Sequence, residues 1–461
     1  MQLAHGFQSV GVCLYAVGSL TRNQLMGYPV SDMDVCSALL PEAVVELCAQ
    51  LGVKTIPTGA KFGTITIRMG GSVFEHTTFR KDVYPQGGAH RPQQVVFGDT
   101  LELDAFRRDF TVNAIYADVL TAQVQDPTGG MADLAAGVIR ATSKDPAVIM
   151  RDDALRILRM VRFAAELGFH VEPTTVVAAK ANVSGLLDIS PERVREELNK
   201  ILCADMRYRE AAPGTESGVV LDALLLLEET GALGAILPEL TRGRSVAQRE
   251  DYHTHDVLEH ALHTCACMDC TQNPGDALVL RLAALLHDVG KPEVFEQTGS
   301  MHEHDRVGAE IAERILRRLR YPNVVVKQVC ELVRHHMFDL NNNAKESTLR
   351  TRFAQWGYGH TLLLCLLREA DVYGSGIIRP GELVKSAARW RRVLADMQAQ
   401  GAPFSEAQLN CTGAQLMAWT GLPASPRIGE LKAELFLHCA RRPKDNTPER
   451  LRVLAVERAK Q

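Results

Sequence analysis

The amino-acid sequence predicts an α+β fold, with strands confined to the first third and helices from there to the end. Three observations carry this. Val10 to Val17 alternates apolar with small residues, Gly63 to Met69 alternates β-branched with other residues, and Gly-rich turns intervene, which is strand texture. From Asp145 onward apolar residues recur at helical spacing: Leu155, Leu158, Val161 and Ala165, then Val194, Leu198 and Ile201. A helical, His-rich stretch runs from His253 to about Gly376, and the segment from Pro380 is helical with Pro and Gly breaks, notably Gly421 to Pro426. The patch Ala211 to Gly218 reads as a loop.

Composition bounds the function. At roughly 150 residues per domain, 461 residues predict about three domains, long enough to bury a core without disulfides. Apolar residues at 46% and charged residues at 23% describe an ordinary folded protein. With 51 Lys plus Arg against 55 Asp plus Glu, the net charge of −4 excludes coating nucleic acid through global charge, though not local basic grooves. Met1 to Leu20 lacks the n-region and cleavage pattern of a secretory signal, and apolar runs such as Leu221 to Leu227 are too short to span a membrane. Eleven cysteines without framework spacing, Cys265, Cys267 and Cys270 included, read as reduced thiols, so a cytoplasmic location is expected.

The first chemical constellation lies near the N-terminus. Gly18-Ser19 follows the apolar strand and precedes a helix-like stretch, Leu20 to Met26; Asp32-Met33-Asp34-Val35 then reads as a second strand. Residues i and i+2 of a strand share a face, so Asp32 and Asp34 present two carboxylates side by side. Like charges that close are costly without a cation between them. Mg²⁺ is the natural ion, and a pair of ions clamps the attacking and leaving oxygens of an in-line phosphoryl displacement. The Gly-Ser turn offers backbone N–H groups to a triphosphate, and Arg22 on the helix is expected to reach the same phosphates. This order of strand, Gly-Ser, helix and Asp-x-Asp resembles the nucleotidyltransferase superfamily that includes DNA polymerase β.

The second constellation narrows the resemblance. Arg107-Arg108-Asp109-Phe110-Thr111-Val112-Asn113-Ala114 resembles the Arg-Arg-Asp-Phe-Thr-x-Asn-Ala motif of class II tRNA nucleotidyltransferases and bacterial poly(A) polymerases. Adjacent guanidinium forks suit phosphate oxygens. Leu14 to Ser37 resembles the first family motif, and Glu75-His76-Thr77-Thr78-Phe79-Arg80 the strand before a mobile loop, about Lys81 to Leu103, that holds Arg91-Pro92. Gly129-Gly130, Asp133-Leu134 and Gly137 to Arg140 match the connection into a helical neck. Asp152-Asp153-Ala154-Leu155-Arg156 with Arg159, Arg162 and Phe163 matches the motif that reads the incoming nucleotide, and Ser190-Pro191-Glu192-Arg193 to Leu202 the next neck helix. The resemblance spans roughly residues 10 to 375, with a weaker echo at Gly413 to Leu435. It departs at Ser19, where the family usually has Gly, at Thr21 for a common Val, at Asn23 for Asp, and at Asp152 for Glu.

The resemblance implies a polymerase-β-like head, a mixed sheet plus helices, followed by all-α segments. It implies a catalytic role for Asp32 and Asp34, with Glu75 a candidate third carboxylate, and Mg²⁺ as the head's metal. It implies nucleotide contacts from Gly18, Ser19, Arg22, Arg107, Arg108, Asp109, Asn113, Asp153, Arg156, Arg159 and Arg162. Asp153 and Arg156, three apart, are expected on one helix face. An Asp accepting from an exocyclic amino group beside an Arg donating to a ring acceptor suits C and A, whereas G and U invert that pattern.

The third constellation is histidine-rich. His260, His287-Asp288 and Asp371 follow the order His, His-Asp, Asp, and with Leu285 to Lys291 resemble the HD metal-dependent phosphohydrolase domain. His304, His335 and His336 are candidate additional ligands. Imidazole and carboxylate together suit Mn, Ni, Fe or Mg ions. The layout becomes a head at 1–140, a nucleotide-reading and RNA-binding neck at 141–250, an HD domain at 251–376 and a helical RNA-binding tail at 377–461. Clustered Arg140, Lys144 and Arg151, and nine Lys or Arg against five acidic residues from Arg427 on, suit a phosphate backbone. The expected function is template-independent addition of CCA to tRNA 3′ ends from CTP and ATP with release of pyrophosphate. The rivals are poly(A) addition, partial A-addition, and an HD phosphohydrolase with a vestigial head. The retained loop after Phe79 argues against CC-only addition. The expected partners are the tRNA acceptor end, CTP and ATP, and no membrane.

Overall fold

The structure is a computed structural model describing residues 1–84, 93–211, 218–248, 254–271 and 273–460. Arg91, Pro92, the interior of the 211–218 loop, His253 and the expected boundary at 250/251 lie outside the described residues. The chain forms two compact units, Met1–Thr241 with Arg318–Arg320, and Arg242–Arg317 with Tyr321–Gln461.

The first unit is built on a seven-stranded mixed sheet. Its strand order is Lys54–Ile56, Thr64–Met69, Ser72–Thr78, Met33–Ser37, Tyr15–Ala16, Tyr116–Asp118, Val124–Gln125. The central pair Met33–Ser37 and Ser72–Thr78 is parallel, with Asp34 opposite Glu75; its other neighbours run antiparallel. The period of two sorts the side chains. Val35, Ile65 and Ile67 pack on one face with Leu3, Phe7, Val44 and Leu47 from the helices Gln2–Ser9 and Pro41–Gln50. Cys36 packs on the other with Val17, Phe79, Leu101, Ala105 and Tyr116. Asp34 therefore shares the Cys36 face, where the second arginine motif lies.

Two strand expectations need adjusting. The Val10–Val17 strand is only Tyr15–Ala16, and the residues ahead of it form the helix Gln2–Ser9, whose Leu3, Ala4 and Phe7 recur at helical spacing. Asp32 stands one residue ahead of the strand that begins at Met33.

Within the loop expected after Phe79, Arg80–Val83 pairs antiparallel with Gln94–Phe97. Apart from the short strand His170–Val171, which pairs in parallel with Val138–Ile139, the unit is helical from Pro146–Asp152 on, where the Asp145 side chain caps the Ala147 N–H. Leu155–Leu167 follows, apolar enough to bury Ile157, Leu158, Met160 and Val161, and ends at Gly168 in a left-handed conformation. It packs against Pro191–Leu202, which buries Val194, Leu198 and Ile201. The second unit is all-helical, wrapped around Ala277–Leu286, a helix of nearly continuous apolar residues buried along its length. The HD segment and the C-terminal tail both belong to this unit. No helix among the described residues is long and apolar enough to cross a membrane.

Gly130 joins this scaffold to the arginine motif. A Cβ there would lie 2.1 Å from the Thr111 carbonyl oxygen and 2.9 Å from Ile115. Gly130→Ala must therefore push the backbone of the motif away, and should lower stability by about 1–3 kcal/mol, the usual cost of overpacking. A lower urea midpoint at unchanged slope is the expected result.

Candidate active site

A cavity of about 1000 Å³ opens in the first unit, lined by the sheet end, the arginine motif and the helix Leu155–Leu167. Nine arginines and Lys200 line it against six carboxylates, an excess of four positive charges in a chain whose net charge is −4. A site so charged is built for a polyanion.

Its acidic corner is the Asp-x-Asp strand. Asp32 and Asp34 line the cavity; Glu75 sits beside Asp34 across the parallel pair, exposed and outside the lining. Burial pushes the Asp34 carboxyl up; Glu75 and Asp32 add to this, and Arg108 opposes it. Carboxylates crowded together in this way call for a bound cation, so these residues fit a divalent metal. Gly18 closes the corner. Its backbone, at φ 70° and ψ −136°, suits glycine, and a Cβ would come within 3.2 Å of Asp34 Oδ2. Ser19 begins the helix Ser19–Met26 directly after it.

The arginines are held from behind. Asp104, fully buried, accepts from Arg107 Nε at 2.9 Å and from Arg107 Nη2, from Arg108 Nε at 2.9 Å and Nη2 at 2.8 Å, and from the Tyr116 hydroxyl at 2.8 Å. Burial alone would raise its pKa; the two guanidiniums and the hydroxyl outweigh burial and hold it at about 2. Asp109 does the same for the neck. Its Oδ2 accepts from Arg159 Nε at 2.7 Å, and its Oδ1 from the Asn113 amide at 3.1 Å and the Phe110 N–H at 2.8 Å. The polar atoms of Asp109 and Asn113 are thus engaged by the protein, where direct nucleotide contact was expected.

Arg22 also departs from expectation. It is 1% exposed, donates to Asn113 Oδ1 at 2.5 Å, to Asn23 Oδ1 at 3.1 and 2.9 Å and to the Tyr208 hydroxyl at 3.3 Å, and lies over the Phe163 ring. Its helix turns it inward, to the floor of the cavity rather than the mouth. Arg159 and Arg162 stack on the same ring, centroids 5.3 and 4.1 Å from the guanidinium carbons, and Arg162 pairs with Glu197 at 3.1 Å.

Asp153 and Arg156 are not on one helix face. Asp153 sits in extended conformation at the break between Pro146–Asp152 and Leu155–Leu167. Its Oδ1 accepts from the Leu155 N–H at 3.1 Å and its Oδ2 from Arg193 Nη2 at 2.7 Å. Arg156 donates to the carbonyls of Ile149 and Arg107 at 3.1 and 2.8 Å. Both line the cavity, each with spare capacity: a carboxylate oxygen has a second lone pair, and a guanidinium has five N–H groups. Sequence reasoning missed Asp104, Tyr116, Glu197 and Tyr208. Only Asp104 left a signal, three and four residues ahead of the arginines it holds.

In the second unit His260, His287 and Asp371 converge, as do Asp288, His304 and His336. Gly374 lets the helix bearing Asp371 close on the helix of His260, since a Cβ there would meet Thr264 at 2.2 Å. Burial disfavours a charged His287 ring, but Asp288 and Asp371 overcome this and raise it to about 10. His335, a candidate ligand, is turned away: consecutive helical positions project about 100° apart. It stacks on Trp356 with centroids 4.7 Å apart and meets His360 Nε2 at 3.3 Å.

Paired carboxylates at a Gly-Ser turn, facing an arginine-lined cavity on a mixed sheet, define a nucleotidyltransferase. The comparisons with known proteins agree. Residues 14–140 match the poly A polymerase head domain, 168–209 a probable RNA- and SrmB-binding site of polymerase A, and 251–374 the HD domain. The A-adding tRNA nucleotidyltransferase of Deinococcus radiodurans is 38% identical over 344 residues, 72% of this chain and 73% of its own. The CCA-adding enzyme of Geobacillus stearothermophilus is 38% identical over 236 residues, so the match spans only 51% of this chain and 52% of that enzyme. The solved Bacillus stearothermophilus CCA-adding enzyme in complex with CTP superposes with a TM-score of 0.71 at 25% identity, covering 99% of this chain and 96% of that one. The chain belongs to the tRNA nucleotidyltransferase family, whose nucleotidyltransferase chemistry uses divalent metal ions.

The Asp104 hub yields a stability test. A depressed pKa means that its stabilisation is fully present above the unfolded carboxyl pKa of about 3.9 and is lost as pH falls through about 2. Asp104→Asn should cost about 3–5 kcal/mol at pH 7, as for a broken buried ion pair. In thermal melts its gap from the unsubstituted protein should narrow as pH falls from 5 towards 2.

Proposed function

We propose that this protein adds C, C and A to tRNA 3′ ends from CTP and ATP without a nucleic-acid template, releasing pyrophosphate at each step. The observation that carries the reading is the single cavity in which the Asp-x-Asp corner, the tandem arginines and the Asp153–Arg156 pair all meet. Residues 1–140 act as catalytic head, 141–250 as nucleotide-reading and RNA-binding neck, 251–376 as HD domain and 377–461 as RNA-binding tail. The activity belongs to a cytoplasmic enzyme.

Asp32 and Asp34 would hold Mg²⁺, which when bound supplies Lewis-acid activation of the tRNA 3′-hydroxyl and of the α-phosphate. Glu75 adds negative potential behind Asp34. Arg107 and Arg108, aimed by Asp104, take the β- and γ-phosphates, and the N–H groups after Gly18 and Ser19 take the rest. Arg22, floored on Phe163, adds charge from below, and Asp109 and Asn113 fix Arg159 and Arg22. Asp153 accepts from the exocyclic amino group of C or A, and Arg156 donates to the adjacent ring nitrogen. Arg159 and Arg162 support them from the Phe163 stack. His260, His287, Asp288 and Asp371 would hold a divalent ion in the HD domain.

A second reading is A-addition alone, favoured by the match over nearly three quarters of the Deinococcus A-adding enzyme. Labelled CTP and ATP on tRNAs ending in the discriminator base, C and CC separate the two. CTP incorporation on the first is expected; ATP incorporation on the CC end alone would establish the second reading. Asp32→Ala and Asp34→Ala should each lower incorporation by at least ~10³-fold, since only the metal-assisted path is fast. Asp153→Ala should lower selectivity for CTP and ATP over GTP and UTP by roughly 10-fold or more, the cost of one base-edge contact. Unchanged selectivity would refute the assignment of base reading to Asp153.

A further inference from the structure

The two carboxylates of the Asp-x-Asp corner are held by different means. Asp34 lies in the strand Met33–Ser37, in register with Glu75 across the parallel ladder. Asp32 stands ahead of that strand and is exposed, so the ladder does not fix it. A relay of hydrogen bonds does. The Ser31 hydroxyl donates to Asp32 Oδ2 at 3.2 Å and accepts from Arg207 Nη2 at 2.8 Å. A hydroxyl has one proton to give and lone pairs to receive, so both bonds form at once. The guanidinium polarises the hydroxyl and strengthens its hold on the carboxylate.

Arg207 arrives from the neck, 176 residues from Ser31 along the chain. The local sequence explains how it is delivered. The helix Pro191–Leu202 ends at Cys203, a short 3-10 turn, Ala204–Met206, follows, and the Arg207 N–H closes on the Ala204 carbonyl at 3.1 Å. Tyr208 then anchors the chain. It is buried, its ring lies on Tyr28 with centroids 4.8 Å apart, and its hydroxyl lies 3.1 Å from Asn23 Nδ2 and 3.3 Å from Arg22 Nη2. Beside this anchor the exposed Arg207 side chain lines the cavity together with Ser31 and Asp32.

The segment that carries Asp32 depends on the same two residues. Residues 27–32, between the helix Ser19–Met26 and the strand, form neither helix nor strand. Tyr208 meets the segment at Tyr28 and, through Asn23, at Pro29, whose carbonyl accepts from Asn23 Nδ2 at 2.8 Å. Arg207 meets it at Ser31. Arg107, Arg108, Arg159 and Arg162 are each held by a buried carboxylate, whereas Arg207 gives its guanidinium to a hydroxyl next to Asp32.

We propose that Arg207 is a positioning residue: acting through Ser31, with Tyr208 holding the segment that carries it, Arg207 fixes the Asp32 carboxylate in the orientation that binds a divalent ion. The neck thereby completes a metal-binding corner whose carboxylates belong to the head. The inference rests on the assignment of Mg²⁺ to Asp32 and Asp34 proposed above, and adds to it the group that sets Asp32. Hydrogen bonds from outside the ligand set orient metal-binding carboxylates in general.

Ser31 and Arg207 are both exposed, so each can be changed without loss of core packing. Mn²⁺ binding to the full chain is followed by electron paramagnetic resonance of the free ion, and the share lost in the Asp32→Ala, Asp34→Ala double variant defines binding at the head. Ser31→Ala and Arg207→Ala should each weaken that share about 10-fold, the common cost of losing a hydrogen bond to a metal ligand, and raise by a similar factor the Mg²⁺ needed for half-maximal ATP addition to tRNA ending in CC. Combining Ser31→Ala with Arg207→Ala should weaken binding no further than either alone, because both break one relay. Ser31→Thr, which keeps the hydroxyl, should bind Mn²⁺ as the unsubstituted protein does. Unchanged Mn²⁺ affinity in Arg207→Ala, additive losses in the combined variant, or a raised KM for tRNA with metal binding intact would overturn the role of Arg207. Mn²⁺ binding indifferent to Asp32→Ala and Asp34→Ala, or no nucleotide addition by the unsubstituted protein, would instead overturn the assignment on which the inference rests, which separates the two failures.

Discussion

Charge crowding around one cavity is the constraint on which the first unit depends. Ten cationic side chains converge there, and each repels the rest. Folding is possible because buried carboxylates take them in pairs. Asp104 carries Arg107 and Arg108, Asp109 carries Arg159, and Glu197 carries Arg162. Each carboxylate would be expensive to bury alone, and each guanidinium loses rotamer freedom when held. The product is a rigid set of N–H groups already aimed at a polyanion. Preorganised donors pay their reorganisation during folding rather than during reaction, the condition under which electrostatic catalysis is strongest.

The second unit meets the reverse problem. Its buried cluster is rich in lone pairs and carboxylate oxygens, with Lys291 at 2.6 Å and Arg368 at 2.7 Å from the two aspartates as local counter-charges. A cavity of excess donors and a cluster of excess acceptors therefore sit in one chain. The first is suited to phosphate, the second to cations. Neither is visible in the net charge of −4, because each is balanced by exposed residues elsewhere; in the tail Arg427 is spent on Glu434 at 2.7 Å. Composition reports the sum, whereas function depends on the separation.

How much of this was legible in the sequence follows from range. Short-range pattern gave the strand at 64–69, the helices at 19–26, 155–167 and 191–202, and the order of both constellations. These are local, periodic signals. What stayed hidden depended on distant partners. That Arg22 faces the floor is decided by Asn113 and Tyr208, 91 and 186 residues away. That Asp153 lies in a break between helices is decided by its capping of Leu155 and by Arg193 on another helix, so a spacing of three did not mean a shared face. The choice between His335 and His336 was equally unreadable, because adjacent helical residues differ only in what packs around them.

The departure at Asn23 gains a meaning from these contacts. The family resemblance sets Asp there. An Asp would accept from Arg22 but could not donate. Asn23 does both, accepting from Arg22 and donating to the Pro29 carbonyl at 2.8 Å and the Tyr208 hydroxyl at 3.1 Å. The amide holds the geometry without neutralising the guanidinium. Arg22 is thus a buried cation hydrogen-bonded to the neutral groups of Asn23, Asn113 and Tyr208. The counter-charge that an Asp at 23 would have supplied comes instead from Glu166, on the helix Leu155–Leu167, which lies within electrostatic reach of the guanidinium and lines the same cavity. Hydrogen-bond geometry and charge balance, which one aspartate could serve together, are here divided between two residues on different helices.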